Sequence, residues 1–162
     1  MIAASNDLGG RRIIKKKSWE QVLGQAQQHG APMVALADAE AAERARGAWD
    51  GQVLPGEEGI RTLIDKSGAD LVLNAIVGAA GLGPTIVALT EGIDLALANK
   101  ESLVVGGELV MALAEARDAR IIPVDSEHSA LYQLIGAEPP GTVERLVLTA
   151  EDHARAEERP EP

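Results

Sequence analysis

Short apolar runs alternate with helix-period segments along most of this chain, and that alternation leaves few folds open. Ser18 and Gln21 make a capping-box pattern ahead of Val22, Leu23 and Ala26, and Gly30 stands in the stop position. Residues 32–37 read as a buried strand, Asp38 as the cap of an alanine-rich helix, and Gly47 as its end. Residues 52–54 make a short strand; Ile60, Leu63 and Ile64 then recur at helical spacing before Gly68. Residues 71–77 are strand-like, Pro84 starts a helix and Gly92 ends it. A strand at 94–98, a helix at 102–117, a strand at 120–124, a helix at 128–136 and a final strand at 143–148 complete the series. Strands alternating with helices predict an α/β protein with a doubly wound parallel sheet and helices on both faces. Ligands of such sheets bind beyond the carboxyl ends of the strands.

The core expected of this sheet is aliphatic. The 162 residues hold no Phe, two Trp and one Tyr, so Ala, Val, Leu and Ile must fill it, as suits strands buried on both faces. With no cysteine, disulfides and thiolate metal sites are excluded. The net charge of −10 argues against non-specific nucleic-acid binding. No apolar run approaches the roughly 18 residues of a membrane span, and the N-terminus does not read as a signal peptide. No nucleic acid, no membrane and a cytoplasmic location are therefore expected. Residues 1–17 lack periodicity and read as an irregular segment whose run Lys15 to Lys17 is solvated; residues 151–162 read as a charged, solvated tail.

Two clusters carry chemistry, each expected just past a strand. In ANKES (98–102), Asn99 can cap the following helix by accepting backbone N–H groups. Those groups, the helix dipole and Lys100 favour an anion, and Glu101 can accept from a hydroxylated ligand such as a ribose. The same three residues also read as a capped helix with a solvated Lys–Glu pair. In PVDSEH (123–128), an extended backbone would point Asp125 and Glu127 to one side. Two such carboxylates are costly together without a cation or proton between them, and hard oxygens suit Mg²⁺ or Mn²⁺. Ser126 could reach a ligand hydroxyl, and His128 reads as a packed or supporting residue rather than a ligand. Gly78, Gly81 and Gly83 do not have dinucleotide-fingerprint spacing; they imply close backbone approach, either to a cofactor or of helix to sheet. Gly106 and Gly107 imply close helix packing. Trp19 and Trp49 read as packing residues rather than a stacking platform.

AIVGAAGLGPT (75–85), LANKESLV (97–104) and PVDSEHSALYQ (123–133), in this order and spacing, resemble the 1-deoxy-D-xylulose-5-phosphate reductoisomerase family. The resemblance runs from about Ser18 to Ala150 and implies a partial Rossmann-like NADPH-binding domain over 18–150. It implies that Asn99 and Glu101 contact NADPH and that Lys100, Ser126 and Glu127 contact a sugar phosphate. Asp125 and Glu127 would bind Mg²⁺ or Mn²⁺ (or Co²⁺), and Lys100 and Glu127 would carry the catalysis. The implied reaction rearranges 1-deoxy-D-xylulose 5-phosphate and reduces the resulting aldehyde with NADPH, giving 2-C-methyl-D-erythritol 4-phosphate for isoprenoid synthesis.

This sequence departs from the family pattern at both ends. No Gly-Ser-Thr-Gly-Ser-Ile-type turn opens it, the region of Lys15 to Ser18 matches poorly, and Glu151-Asp152-His153 follows Ala150 where the family has Ser-Gly-Gly-Pro and a catalytic domain. The expectation is an incomplete sheet in a truncated or frame-disrupted gene product, inactive alone and weak in NADPH binding. Two alternatives accompany it: a non-catalytic fragment assembling with a full-length subunit, and a homoserine-dehydrogenase-like oxidoreductase, which shares Ala-Asn-Lys after a strand but does not explain PVDSEH. A homo-oligomer is the expected protein partner, since an incomplete sheet exposes an edge.

Overall fold

The computed structural model describes residues 3–4 and 18–147. Its elements are β1 (Ala3–Ala4), α1 (Trp19–His29), β2 (Met33–Leu36), α2 (Ala39–Arg46), β3 (Gln52–Pro55) and α3 (Gly56–Asp65). Then come β4 (Leu71–Asn74), a 3₁₀ turn (Ala79–Gly81), α4 (Leu82–Thr90), β5 (Asp94–Leu97), α5 (Glu101–Arg117), β6 (Ile121–Pro123) and α6 (Ser126–Gly136). All strand pairs are parallel, but they form two three-stranded sheets, β1-β2-β3 and β4-β5-β6, rather than the single sheet expected.

Local chemistry explains the element ends. The Ser18 side chain accepts from the Gln21 N–H at the start of α1, and Gly30 closes that helix at φ 64°. A left-handed residue there costs glycine little, which is why glycine so often ends helices. Asp38 caps α2 by accepting from the Ala41 N–H at 3.0 Å. Pro84 lies in the first turn of α4 rather than at its start, because the 3₁₀ turn runs directly into Leu82.

The β1-β2-β3 sheet is covered on both faces. Val34, Leu36 and Val53 pack against α1 and α2, with Trp19 and Trp49 partly buried beside them, as packing residues. Ala35, on the other face of β2, joins Ile60, Leu63 and Ile64 of α3. The same α3 cluster continues through Val72, Leu89, Leu95, Leu97 and Val110, so one core spans both sheets. The β4-β5-β6 sheet is covered less evenly: Leu71 and Leu73, on the face of β4 turned from that core, are 50% and 61% exposed.

The expected final strand is corrected. Residues 143–147 form no strand: 142–147 are irregular, and Val143, Leu146 and Val147 are all exposed. Their spacing of three and one does not present a single face at the two-residue period a half-buried strand requires. Gly106, however, does permit close packing. The α5 backbone leaves helical geometry there (φ −126°, ψ 21°), and a Cβ would lie 2.9 Å from Leu82 Cδ1. Gly107 has open space around it. The N-terminal segment, apart from Ala3–Ala4, and the 151–162 tail lie outside the described residues.

Candidate functional site

The parallel register pairs Leu97 with Pro123, and the Val124 N–H donates to the Leu97 carbonyl at 3.0 Å. The chain therefore leaves β5 and β6 at neighbouring points of one carboxyl edge, and each strand turns at once into a helix. Asn99, Lys100 and Glu101 open α5; Asp125, Ser126 and Glu127 open α6. The two clusters thus stand at adjacent strand ends, and Lys100 is the smallest of the influences that lower the Glu127 carboxyl.

Asn99 does more than cap. Its Oδ1 accepts from the Ser102 N–H at 3.0 Å, the cap expected of it, and also from the Ser102 hydroxyl. Its Nδ2 faces the Ile76 carbonyl, the Gly78 carbonyl at 3.0 Å and Glu101 Oε2 at 3.0 Å. Only 2% of the residue is exposed. Gly81 packs flat on it: a Cβ at that position would lie 2.6 Å from Asn99 Cγ. The close approach implied by the glycine run is thus to this side chain. Lys100 by contrast is exposed, and Glu101 is half-buried.

The second cluster differs from its extended reading. Asp125 is extended (φ −64°, ψ 155°), but Ser126 and Glu127 already lie in α6, so the two-residue strand period does not set where Glu127 points. An aspartate at a strand end is a strong helix cap, and here it starts the helix two residues earlier than expected. Asp125 Oδ1 accepts from the His128 N–H at 3.0 Å, and the His128 ring Nδ1 lies 2.8 Å from each carboxylate oxygen. Partial burial pushes the Asp125 carboxyl up, but the bonds from the His128 backbone and ring outweigh it and hold it below the usual range. The Ser126 hydroxyl donates to Glu127 Oε2 at 2.8 Å and is the chief cause of the lowered Glu127 carboxyl, with Asp125 opposing. Both carboxylates are thus kept ionised, as a divalent cation requires of its ligands. All their donors are hard oxygens, the chemistry that suits Mg²⁺ or Mn²⁺. Among the described residues no third acidic, His or Cys side chain completes a metal-binding group.

Three polar residues that the sequence did not single out lie behind this corner. Asn74 ends an otherwise apolar strand, Thr85 interrupts an apolar helix, and Ser102 follows Glu101; each is at most 2% exposed. A polar residue inside an apolar run was the available signal, since burial of such a group demands partners.

Comparison with known proteins assigns the family. A model of the 1-deoxy-D-xylulose 5-phosphate reductoisomerase family matches residues 11–107. The reductoisomerase of Corynebacterium glutamicum is 48% identical over 131 residues, 80% of this chain and 33% of its own length. That of Treponema denticola is 51% identical over 94 residues, 58% of this chain and 25% of its own. Among solved structures, the Zymomonas mobilis reductoisomerase in complex with NADPH aligns with a TM-score of 0.69 at 31% identity, covering 72% of this chain and 31% of that one. A reductoisomerase bound to NADPH, fosmidomycin and magnesium aligns at 0.65 and 37% identity, covering 71% and 29%. The chain spans about a quarter to a third of the length of these relatives. It belongs to the 1-deoxy-D-xylulose 5-phosphate reductoisomerase family.

Proposed function

We propose that this chain carries the cofactor- and metal-facing corner of an NADPH-dependent reductoisomerase that converts 1-deoxy-D-xylulose 5-phosphate to 2-C-methyl-D-erythritol 4-phosphate. The observation that carries the reading is the parallel register of Leu97 with Pro123, which starts α5 and α6 side by side at one strand edge. An ammonium on one helix start and two carboxylates on the next suit a ligand that is anionic in one part and metal-chelating in another, as a sugar phosphate is. In this reading Asp125 and Glu127 hold Mg²⁺ or Mn²⁺, which when bound polarises the substrate's oxygens as a Lewis acid. Lys100, exposed, attracts the anionic substrate, while the Ser126 hydroxyl orients it and holds Glu127 ionised. Glu101 and Asn99 serve the NADPH side, Glu101 by accepting from a ribose hydroxyl. The exposed Leu71 and Leu73 support a homo-oligomer.

The test is NADPH binding to the chain by tryptophan-to-nicotinamide energy transfer, together with turnover assays. The reading expects weak, saturable NADPH binding that Glu101→Ala weakens further, and any consumption of NADPH only with 1-deoxy-D-xylulose 5-phosphate. Oxidoreduction of homoserine instead would replace this reading with the homoserine-dehydrogenase-like one. Turnover that appears only after adding a full-length reductoisomerase with an inactivated site of its own would favour an assembling fragment.

A further inference from the structure

The buried polar residues behind the corner form a chain of hydrogen bonds with a fixed direction. Backbone groups set both amide orientations. Asn74 Oδ1 accepts from the Ile76 N–H at 3.1 Å, so its Nδ2 must be the group that donates to the Gly81 carbonyl at 2.8 Å. Likewise Asn99 Oδ1 accepts from the Ser102 N–H, so its Nδ2 is the group facing the Ile76 and Gly78 carbonyls. A backbone N–H can only donate and a carbonyl can only accept, so neither amide can flip. The hydroxyls then have no choice. Asn74 Nδ2 donates to Thr85 Oγ1 at 2.8 Å, Thr85 donates to Ser102 Oγ at 3.4 Å, and Ser102 donates to Asn99 Oδ1. Asn99 Nδ2 closes the series on the Glu101 carboxylate at 3.0 Å.

We infer that Asn74, Thr85 and Ser102 are positioning residues, which act through Asn99 to aim the Glu101 carboxylate and to seat the Gly78–Gly81 turn beside it. Every buried side-chain nitrogen and oxygen among the described residues has a partner, so removing one link takes a hydrogen bond from each buried neighbour it joined. A hydrogen bond lost from a buried group costs enough to shift the local geometry. Glu101, the last member, is the one at the ligand-facing corner. The inference rests on the proposed role of Glu101 toward NADPH, and its test has an arm independent of that role.

Thr85→Val keeps the volume and removes the hydroxyl; Ser102→Ala breaks the next link. The positioning role predicts that each weakens NADPH binding about tenfold, the loss expected for one buried hydrogen bond that orients a charged group. It also predicts that neither adds more than about twofold once Glu101→Ala has been made, since the effect travels through Glu101. A purely structural role would lower the melting temperature and leave the dissociation constant of the folded chain unchanged, or give effects additive with Glu101→Ala; either result overturns the inference. The second arm is amide hydrogen exchange. The Ile76 and Ser102 amides, which bond to Asn74 and Asn99, should exchange at least about tenfold faster in both variants while α1 amides keep their parent rates. Unchanged rates at Ile76 and Ser102 overturn the inference even where NADPH does not bind. Failure of the parent chain to bind NADPH, with the exchange pattern as predicted, removes the proposed function and leaves the positioning network standing.

Discussion

Arg120 holds Asp94 at three points: its N–H donates to Asp94 Oδ1 at 2.8 Å, its Nε to Oδ2 at 2.8 Å, and its guanidinium also closes an ion pair. The pair ties the entry of β6 to the entry of β5 and so fixes the register that brings Leu97 beside Pro123. The Arg120 bonds hold the Asp94 carboxyl below its ordinary range. A carboxyl whose pKa is lowered by folding contributes stability above its unfolded pKa and loses it as pH falls through the lowered folded value. Asp94→Asn should therefore be less stable than the parent at about pH 7, and the gap should be smaller at about pH 3. Urea midpoints of both chains at the two pH values check this; an equal gap at both would show that the charge is not what matters. Nothing in the run IDLAL marks Asp94 as a clamp. Its partner is 26 residues away, and only the parallel pairing of β5 with β6 makes them neighbours.

At the scale of elements, glycine has opposite meanings in α1 and before α4. Gly24 lies within α1 with nothing within 4 Å of an added Cβ, whereas Gly81 is pressed against Asn99. Gly24→Ala should stabilise the chain by about 0.5–1 kcal/mol, by removing the helix cost of glycine. Gly81→Ala should cost about 1–3 kcal/mol, as overpacking does. Denaturant unfolding of the two variants measures both, and equal shifts would remove the close approach from the account. Helices and strands with strong caps and apolar runs were legible in the sequence, as Ser18, Asp38 and Gly30 illustrate. Where a polar side chain competed with the periodicity, legibility failed. Asp125 capped a helix where a strand end was expected, and this moved Glu127 from a strand face into the first turn of α6. The cap at Asn99 follows from its place after a strand. Its three further acceptors come from Glu101 and from the turn some twenty residues earlier, a contact no local pattern encodes.

Across the whole molecule, the α/β class and parallel pairing follow from the alternation, while the division into two sheets does not. Sheet membership depends on which edges meet, and the core around α3 joins β2 to β4 through side chains rather than a hydrogen-bonded ladder. One consequence is apolar surface left uncovered: Leu73 on β4, Val104 on α5 and Leu134 on α6 are each more than half exposed. Surface of that kind marks interaction faces in soluble proteins. The other consequence is the functional corner itself, which needs only β5, β6 and the helices that follow them. If the two helix starts form one metal- and anion-facing site, Mn²⁺ titration followed by NMR will locate the ion there. Paramagnetic broadening should be strongest at the amides of residues 125–128 and reach those of 99–102, and Asp125→Asn combined with Glu127→Gln should abolish it. Broadening confined to other acidic positions, or unchanged in the double variant, would contradict the claim.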